Sequence, residues 1–238
     1  MSNSMPVYLS VVIPAYNEEE RIADSLYCVK DYLHTRPYHS EIIVVDDGSR
    51  DLTTEIVKFI DIYGEEVHEQ EAGSLMENVK NVGKGFSVAR GILRARGEII
   101  LTSDTDLSTP IEEVEKLLPH FSDGYSVVVG SRNLPESEVE AKPLRRQFLS
   151  QIFNFCVQAL VIKGVADTQC GFKAYRRDAA HRIALLQKVY GFGYDVEHLY
   201  RNRTAGGARY RAVRGGEVRG KREGAGSLRI AAIQAAVK

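Results

Sequence analysis

The chain has 238 residues, of which 44% are hydrophobic and 26% charged, so it can bury a sizeable core and is neither disordered nor fibrous. Its three cysteines form no CxxC pair, and no apolar run reaches the roughly 18 residues of a spanning helix, which excludes a disulfide-framework protein and a helix that crosses a bilayer. The net charge of −1 hides an asymmetry, because residues 1–140 carry 12 Lys+Arg and 26 Asp+Glu whereas residues 141–238 carry 19 and 6. We interpret the acidic half as catalytic or metal-binding and the basic half as facing phosphates or an anionic surface; the alternative is two solvated faces of opposite charge.

Strand and helix signals alternate along the first half of the chain. Short apolar runs predict buried strands at residues 9–14, 41–46, 98–103 and 126–131. The segments between them predict helices: one capped by Asn17 and opened by three glutamates, one begun by Asp51 or Thr53, one over residues 85–96, and one with Pro110 in its first turn. This alternation predicts an α/β fold with a mostly parallel, Rossmann-like sheet flanked by helices.

Two further segments carry weaker signals. Residues 64–81 are weakly patterned and predict a short strand and a loop. Residues 206–226 are rich in Gly and Arg, which predicts a mobile basic loop.

Polar side chains follow each predicted strand. They are Tyr16 to Glu18 after the first strand, Asp46 and Asp47 after the second, Asp104 and Asp106 after the third, and Arg132 after the fourth. Ligands of open α/β sheets bind beyond the carboxyl ends of the strands, so the convergence of four ends predicts one binding crevice. Taken alone, each motif has a plain alternative: an Asp-x-Asp can occur by chance, and Asp46 to Ser49 can be an ordinary turn with a helix cap.

The chemistry of this crevice points away from nucleotide cofactors of the common types. No GxGxxG follows a strand, and Gly83 to Gly85 lacks the P-loop spacing, which argues against a dehydrogenase or a P-loop NTPase. Asp104 and Asp106 offer hard oxygen ligands, which suit Mg²⁺ or Mn²⁺ completed by substrate phosphates. We therefore expect a substrate that carries a diphosphate.

Several segments together resemble the inverting glycosyltransferases of family 2, which have the GT-A fold. They are SVVIPAYNEEERI, EIIVVDDGSRDLT, NVGKGFSVARG, ILTSDTDLSTP and VVVGSR. The segments DTQCGFK and GFGYDVEHLYRNR are similar to the dolichyl-phosphate β-glucosyltransferases and their polyprenyl-phosphate relatives. The resemblance covers about residues 8–203, and QCGFK at residues 169–173 favours the glucosyl type over the mannosyl type.

The resemblance implies a role for each matching residue. Pro14, Tyr16 and Glu18 would frame the base and ribose of the nucleotide, and Asp46 and Asp47 would hydrogen-bond the uracil and the sugar hydroxyls. The further implied roles are phosphate contact for Lys84, metal binding for Asp104 and above all Asp106, a grip on the acceptor phosphate for Arg132, and a sugar or acceptor pocket lined by Asp167, Gln169, Lys173 and Asp195.

Four of these residues have a structural alternative. Lys84 can be a solvated loop lysine, and Tyr16 can belong to the core. Asp167 can cap the turn before Gly171, and Asp195, with its neighbour Glu197, can pair with a nearby arginine such as Arg201.

The implied function is transfer of glucose from UDP-glucose to a polyprenyl phosphate with Mg²⁺ or Mn²⁺, by a cytoplasmic enzyme that is peripheral on the cytosolic face of a membrane. Residues 148–162 form an amphipathic stretch that can lie in the headgroup plane or be a core helix. We expect a catalytic domain at residues 1–205, in which residues 1–132 bind the nucleotide and residues 133–205 form the acceptor side, and a basic tail at 206–238 that can meet the membrane interface. The membrane anchors of the family have no counterpart in this sequence, which leaves three interpretations open: a peripheral enzyme, a chain trimmed at its ends, or one half of a pair with a separate membrane subunit.

Three alternative functions remain open. The same chemistry can use GDP-mannose instead of UDP-glucose. A nucleic-acid-binding protein would bind through the basic half of the chain. This alternative does not explain the acidic residues at the strand ends, so we expect no nucleic-acid partner. A non-catalytic scaffold has no reason to keep Asp104, Asp106 and Arg132 together.

Overall fold

The computed structural model describes residues 6–60, 74–131, 170–204 and 209–214. Its elements in chain order are β1 (Leu9–Ala15), α1 (Ile22–His34), β2 (Ser40–Asp46), α2 (Thr53–Phe59), β3 (Ser74–Glu77), α3 (Lys84–Arg94), β4 (Ile99–Thr102), a 3₁₀ turn (Ile111–Glu113), α4 (Val114–Leu117), α5 (Pro119–Ser122), β5 (Tyr125–Ser131), β6 (Lys173–Arg176), α6 (Arg177–Leu186), α7 (Tyr194–Thr204) and β7 (Arg209–Arg214). The predicted strands coincide with β1, β2, β4 and β5, and β3 is the short strand expected within residues 64–81.

The seven strands form one sheet in the order β3-β2-β1-β4-β6-β5-β7. Strand β1 pairs in parallel with β2 on one side and β4 on the other, so Val12 lies between Ile43 and Thr102. Only β6 of the described strands runs against the others, because it is antiparallel to both β4 and β5. The prediction of a mostly parallel α/β sheet is therefore confirmed.

The core lies along the central strands β1, β2 and β4, which are buried on both faces and are mostly apolar. Helix α1 buries Ile22, Leu26, Val29 and Leu33, the apolar stripe expected from helical spacing. Helix α3 approaches β1 closely, since a Cβ atom at Gly91 would lie 2.4 Å from a methyl carbon of Val12.

Two sequence predictions about local structure are wrong. Asn17 does not cap α1, which begins at Ile22. Instead, Asn17 has a left-handed backbone (φ 54°), and its side-chain oxygen accepts the Arg50 amide at 2.9 Å, because the loop after β1 is tied to the loop after β2. Residues 209–214 are not in a loop, since they pair with β5 as the parallel strand β7.

The pairing of β7 also bears on the expected domain limits. The division at residue 205 stays a prediction, but β7 places residues 209–214 in the same sheet as the strands of the nucleotide-binding region. Among the described residues, no helix combines the length and apolarity needed to cross a membrane.

Candidate active site

Three loops meet at the carboxyl edge of the sheet, after β1, β2 and β4. The Thr105 hydroxyl donates to the Pro14 carbonyl at 2.8 Å, and the Asp47 amide donates to the Ala15 carbonyl at 2.8 Å. Because β2, β1 and β4 are neighbours and parallel, these bonds bring together the polar segments that follow the strands. The convergence predicted from the sequence is thus present for three of the four strand ends.

Asp46 is the last residue of β2, and only one oxygen of its buried carboxylate accepts hydrogen bonds from the described residues. Its Oδ2 accepts the amides of Gly48 and Ser49 at 3.1 and 3.0 Å, a turn that is possible because Gly48 has φ 72°. Its Oδ1 is buried and accepts no hydrogen bond in the described part of the chain. A buried acceptor without a donor costs about 1–3 kcal/mol, so this oxygen is suited to an N–H group of a ligand.

Asp47, in contrast, is fully engaged inside the protein. Its Oδ1 accepts from the Asn78 side chain at 2.7 Å and from the Val82 amide at 3.0 Å, and its Oδ2 accepts from the Gly83 amide at 2.8 Å. These bonds hold the loop between β3 and α3 and so fix the position of Lys84, the first residue of α3. A ligand contact by Asp47 stays a prediction.

Lys84 and Asp104 form the central ion pair of the crevice. The Lys84 ammonium lies 2.6 Å from Asp104 Oδ1, and both side chains are partly exposed, at 24% and 37%. Lys84 is therefore not a solvated loop lysine. Gly171 backs this carboxylate so closely that a Cβ atom there would lie 2.3 Å from the same oxygen.

Asp106 and Glu18 lie beside that pair. Asp106 is exposed and its Oδ1 accepts the Ser108 amide at 2.9 Å. Glu18 faces Arg21, whose Nε lies 2.8 Å from Glu18 Oε2. Partial burial raises the pKa of Glu18, Arg21 opposes this, and the negative charge of Asp106 adds to it, which places Glu18 and Asp106 in one electrostatic neighbourhood.

The two remaining residues predicted to contact the nucleotide differ in their exposure. Pro14 is buried and acts through its carbonyl, whereas Tyr16 is 42% exposed at the edge of the crevice. The alternative that Tyr16 belongs to the core is therefore wrong. Its predicted contact with the base stays a prediction.

Lys173 and Asp195 form a buried ion pair. Lys173 in β6 is completely buried, and its ammonium donates to Asp195 Oδ1 and to the Cys170 carbonyl. Burial raises the pKa of Asp195, while Lys173 acts in the opposite direction. The alternative that Asp195 pairs with an arginine is wrong, but its neighbour Glu197 does pair with Arg201, at 2.6 Å.

Sequence reasoning missed a buried polar chain beneath α7. The Tyr175 hydroxyl lies 3.2 Å from His198 Nδ1, and His198 Nε2 lies 2.7 Å from the Gln187 side-chain oxygen. Burial, with Lys173 and Arg201 nearby, lowers the pKa of His198 to about 3. The only sequence signal was a histidine at a buried helical position, which does not distinguish this role from ordinary packing.

Three predicted site residues lie outside the described residues. They are Arg132, Asp167 and Gln169, and the amphipathic stretch at 148–162 and most of the basic tail lie there too. Their roles stay predictions.

The carboxylates present fit a divalent cation of the Mg²⁺ or Mn²⁺ type. Asp104 and Asp106 supply hard oxygen donors on one loop, and the described ranges hold no cluster of three or more His, Cys, Asp or Glu side chains that could hold a metal ion. Such cations usually bind one or two carboxylates and take their other ligands from water and substrate phosphates. This donor set is sufficient for a metal that arrives with a phosphorylated substrate.

The chain matches a known family over most of its length. A family model described as glycosyl transferase family 2 matches residues 10–184. The dolichyl-phosphate beta-glucosyltransferases of Mus musculus and Homo sapiens are 38% and 37% identical to this chain over 205 residues, which are 81% of this chain and 62% of each relative. The chain therefore spans less than two thirds of the length of these relatives.

A solved structure supports the fold independently. Glucosyl-3-phosphoglycerate synthase from Mycobacterium tuberculosis, crystallised with Mn²⁺ and UDP-glucose, matches with a TM-score of 0.65 at 17% identity, over 97% of this chain and 79% of that chain. A likeness at this level of identity concerns the fold, and it confirms the predicted GT-A architecture.

Proposed function

The chain belongs to glycosyl transferase family 2, and we propose that it transfers glucose from UDP-glucose to the phosphate of a dolichyl-type polyprenyl lipid. The observation that carries this proposal is the convergence of Asp46, Lys84, Asp104 and Asp106 at one edge of the sheet. The names of the mouse and human relatives supply the acceptor and the sugar. The UDP-glucose bound to the mycobacterial neighbour supports the donor.

The donor is held by groups with distinct tasks. The unused Oδ1 of Asp46 accepts an N–H group of the base, while Asp47 stays inside the protein and fixes the loop that presents Lys84. The Lys84 ammonium then meets the diphosphate from the first turn of α3. Tyr16 stands exposed at the mouth of the crevice, where it can cover the base.

Asp104 and Asp106 would hold the divalent cation. When bound, such an ion neutralises the negative charge that develops on the departing diphosphate. The Mn²⁺ in the crystal structure of the mycobacterial neighbour supports this assignment. The Ser108 amide holds the Asp106 carboxylate, and the missing side chain of Gly171 leaves the space that the Asp104 carboxylate occupies.

The acceptor phosphate attacks the anomeric carbon from the face opposite the leaving group. The new bond joins a phosphate oxygen to that carbon, while the bond to the diphosphate breaks and UDP leaves with its electron pair, which inverts the configuration. A phosphate monoester has its second pKa near ~6 and is mostly dianionic at pH 7, so no side chain needs to remove a proton. The harder task is to bring two anions together, which we assign, on the side of the protein, to Lys84 and Arg132.

The lipid acceptor implies work at a membrane surface. We assign this contact to the basic half of the chain and to the amphipathic stretch at 148–162. The protein would then act as a peripheral enzyme on the cytosolic face, alone or with a membrane partner.

A transfer assay tests the proposal. Purified protein is incubated with Mn²⁺, a short polyprenyl phosphate and either UDP-[¹⁴C]glucose or GDP-[¹⁴C]mannose, and the label that enters the organic phase is counted. Asp106→Asn is the loss variant. Asp178→Asn is its matched control, because Asp178 is an exposed aspartate on α6, which begins at the opposite edge of the sheet.

The proposal predicts lipid-bound label from UDP-glucose, absent with Asp106→Asn and unchanged with Asp178→Asn. Label from GDP-mannose alone would mean that the transferred sugar is mannose, and the proposed mechanism would stay the same. Label that survives in Asp106→Asn would refute the assigned metal site.

A further inference from the structure

The Lys84 ammonium binds a carboxylate oxygen of Asp104, which is one of the two proposed metal ligands. Its ammonium lies 2.6 Å from Asp104 Oδ1, well within the range of a charge-assisted hydrogen bond. Lys84 is also the residue proposed to meet the donor diphosphate. One ammonium therefore stands between two anionic binding partners, a carboxylate and a phosphate.

The position of Lys84 is unfavourable for the helix that carries it. It is the first residue of the 11-residue helix α3, and no acidic residue lies in that first turn. The helix dipole favours anions at this end and disfavours cations. Helix stability therefore gives no reason for a lysine here, and its ion pair with Asp104 does.

Hydrogen bonds and close packing hold the backbone next to Lys84, whereas its side chain is long and has rotatable bonds. Asp47 binds the Val82 and Gly83 amides, and a Cβ atom at Gly83 would lie 2.4 Å from the Tyr190 carbonyl oxygen. The Phe192 ring lies 6.0 Å from the ammonium. A long flexible side chain on a backbone held in this way allows Lys84 to change partner without a loop movement.

Within the described residues, two other cations near this pair already have carboxylate partners. Arg21 faces Glu18 at 2.8 Å, and Lys173 is buried against Asp195. Lys84 also acts to lower the pKa of both Glu18 and Asp195, so its charge influences the carboxylates around it. Among these three cations, Lys84 alone pairs with a proposed metal ligand.

We propose that Lys84 is a coupling residue that makes binding of the divalent ion and of the nucleoside diphosphate mutually dependent. On Asp104 its ammonium competes with the metal; on the diphosphate it releases Asp104 for the metal. This inference rests on the proposed function, because it assumes that both ligands use this crevice. By thermodynamic linkage, each ligand must then strengthen the other by the same factor.

The coupling gives two effects of opposite sign when the charge is removed. In Lys84→Met, Asp104 loses its competing cation, so the metal alone should bind more tightly. The diphosphate loses a cation, so the nucleotide alone should bind more weakly. General damage to the site would weaken both, which separates coupling from a structural role.

The test measures each ligand alone on the whole protein. Mn²⁺ binding is followed by the electron paramagnetic resonance signal of free Mn²⁺, and UDP binding by calorimetry in the presence of EDTA. We expect Lys84→Met to bind Mn²⁺ roughly 5- to 10-fold more tightly and UDP roughly 5- to 10-fold more weakly than the wild type, as for a partly exposed ion pair worth about 1 kcal/mol.

Two variants complete the comparison. Lys84→Arg keeps the charge and should leave Mn²⁺ affinity near the wild-type value. Lys116→Met breaks an ion pair of equal length, 2.6 Å to Glu113, and should change neither ligand.

Equal or weaker Mn²⁺ binding by Lys84→Met would overturn the coupling, even if the protein transfers glucose. Tighter Mn²⁺ binding together with weaker UDP binding in a protein that transfers no sugar would leave the coupling standing and overturn the proposed function.

Discussion

The buried pair of Lys173 and Asp195 gives the sharpest stability prediction. Lys173 is completely buried and the Asp195 side chain is only 8% exposed. Removing one partner of a buried ion pair leaves an uncompensated charge and typically costs about 3–5 kcal/mol. Since small domains are stable by about 5–15 kcal/mol, Lys173→Met should remove a large part of the free energy of unfolding.

The matched control is an exposed pair on α6. Arg182 and Asp178 form an i,i+4 pair at 3.2 Å with both side chains more than half exposed. Such pairs contribute about 0–1 kcal/mol, so Arg182→Met should cost little. The double variant Lys173→Met/Asp195→Leu removes both buried charges and should recover part of the loss of the single variant.

The pH dependence of the free energy of unfolding gives a second test, because its direction can be predicted. Burial raises the folded-state pKa of Asp195, so its contribution to stability falls as the pH rises above the unfolded-state pKa of about 3.9 and through the folded-state pKa. Lys173→Met removes the group that opposes this shift. The variant should therefore lose more stability, relative to wild type, at pH 8 than at pH 5.

Urea unfolding followed by circular dichroism at both pH values measures these differences. A loss for Lys173→Met no larger than that for Arg182→Met, with the same pH dependence as wild type, would refute the reasoning from burial and charge.

Three further predictions concern the site. Gly171→Ala should weaken Mn²⁺ binding at least about 10-fold while the fold is retained, because its Cβ would displace the Asp104 carboxylate; Mn²⁺ titration and circular dichroism check this, and unchanged affinity would contradict the assigned contact. The His198 imidazole should stay neutral from pH 8 to pH 5, as its pKa of about 3 requires, and a titration in that range by NMR would contradict its burial. Arg132→Lys should lower kcat more than Glu18→Gln, since no general base is needed; the reverse order in transfer assays would contradict the mechanism.

The sequence was most informative about the strands. The runs at residues 9–14 and 41–46 are apolar on both faces, and this is the pattern of parallel strands covered by helices. Their carboxyl ends are then neighbours whatever the connecting loops do. For this reason the convergence of the polar loops after β1, β2 and β4 could be predicted without a structure.

The two wrong predictions of local structure have one cause, which is contact between segments far apart in the chain. Asn17 has the chemistry of a helix cap, but its side chain binds the Arg50 amide, 33 residues away. The Gly- and Arg-rich composition of residues 206–226 hides a strand that β5 stabilises by pairing. Local composition carries no information about such partners.

The roles of the charged residues were equally hidden. The carboxylate of Asp47 receives its donors from residues 78–83, and Lys173 finds Asp195 22 residues later. Within the described residues, only the assembled sheet shows that Asp46 keeps a free acceptor oxygen while both oxygens of Asp47 are bonded. The sequence could name these residues as candidates, but it could not separate ligand contact from internal support.

The most direct measurement is the transfer of label from UDP-[¹⁴C]glucose to a short polyprenyl phosphate in the presence of Mn²⁺, for the wild type and Asp106→Asn side by side. The proposed function predicts organic-phase label that depends on protein, Mn²⁺ and Asp106. A wild-type protein that binds UDP-glucose but yields no lipid label, with or without a membrane fraction, would contradict it.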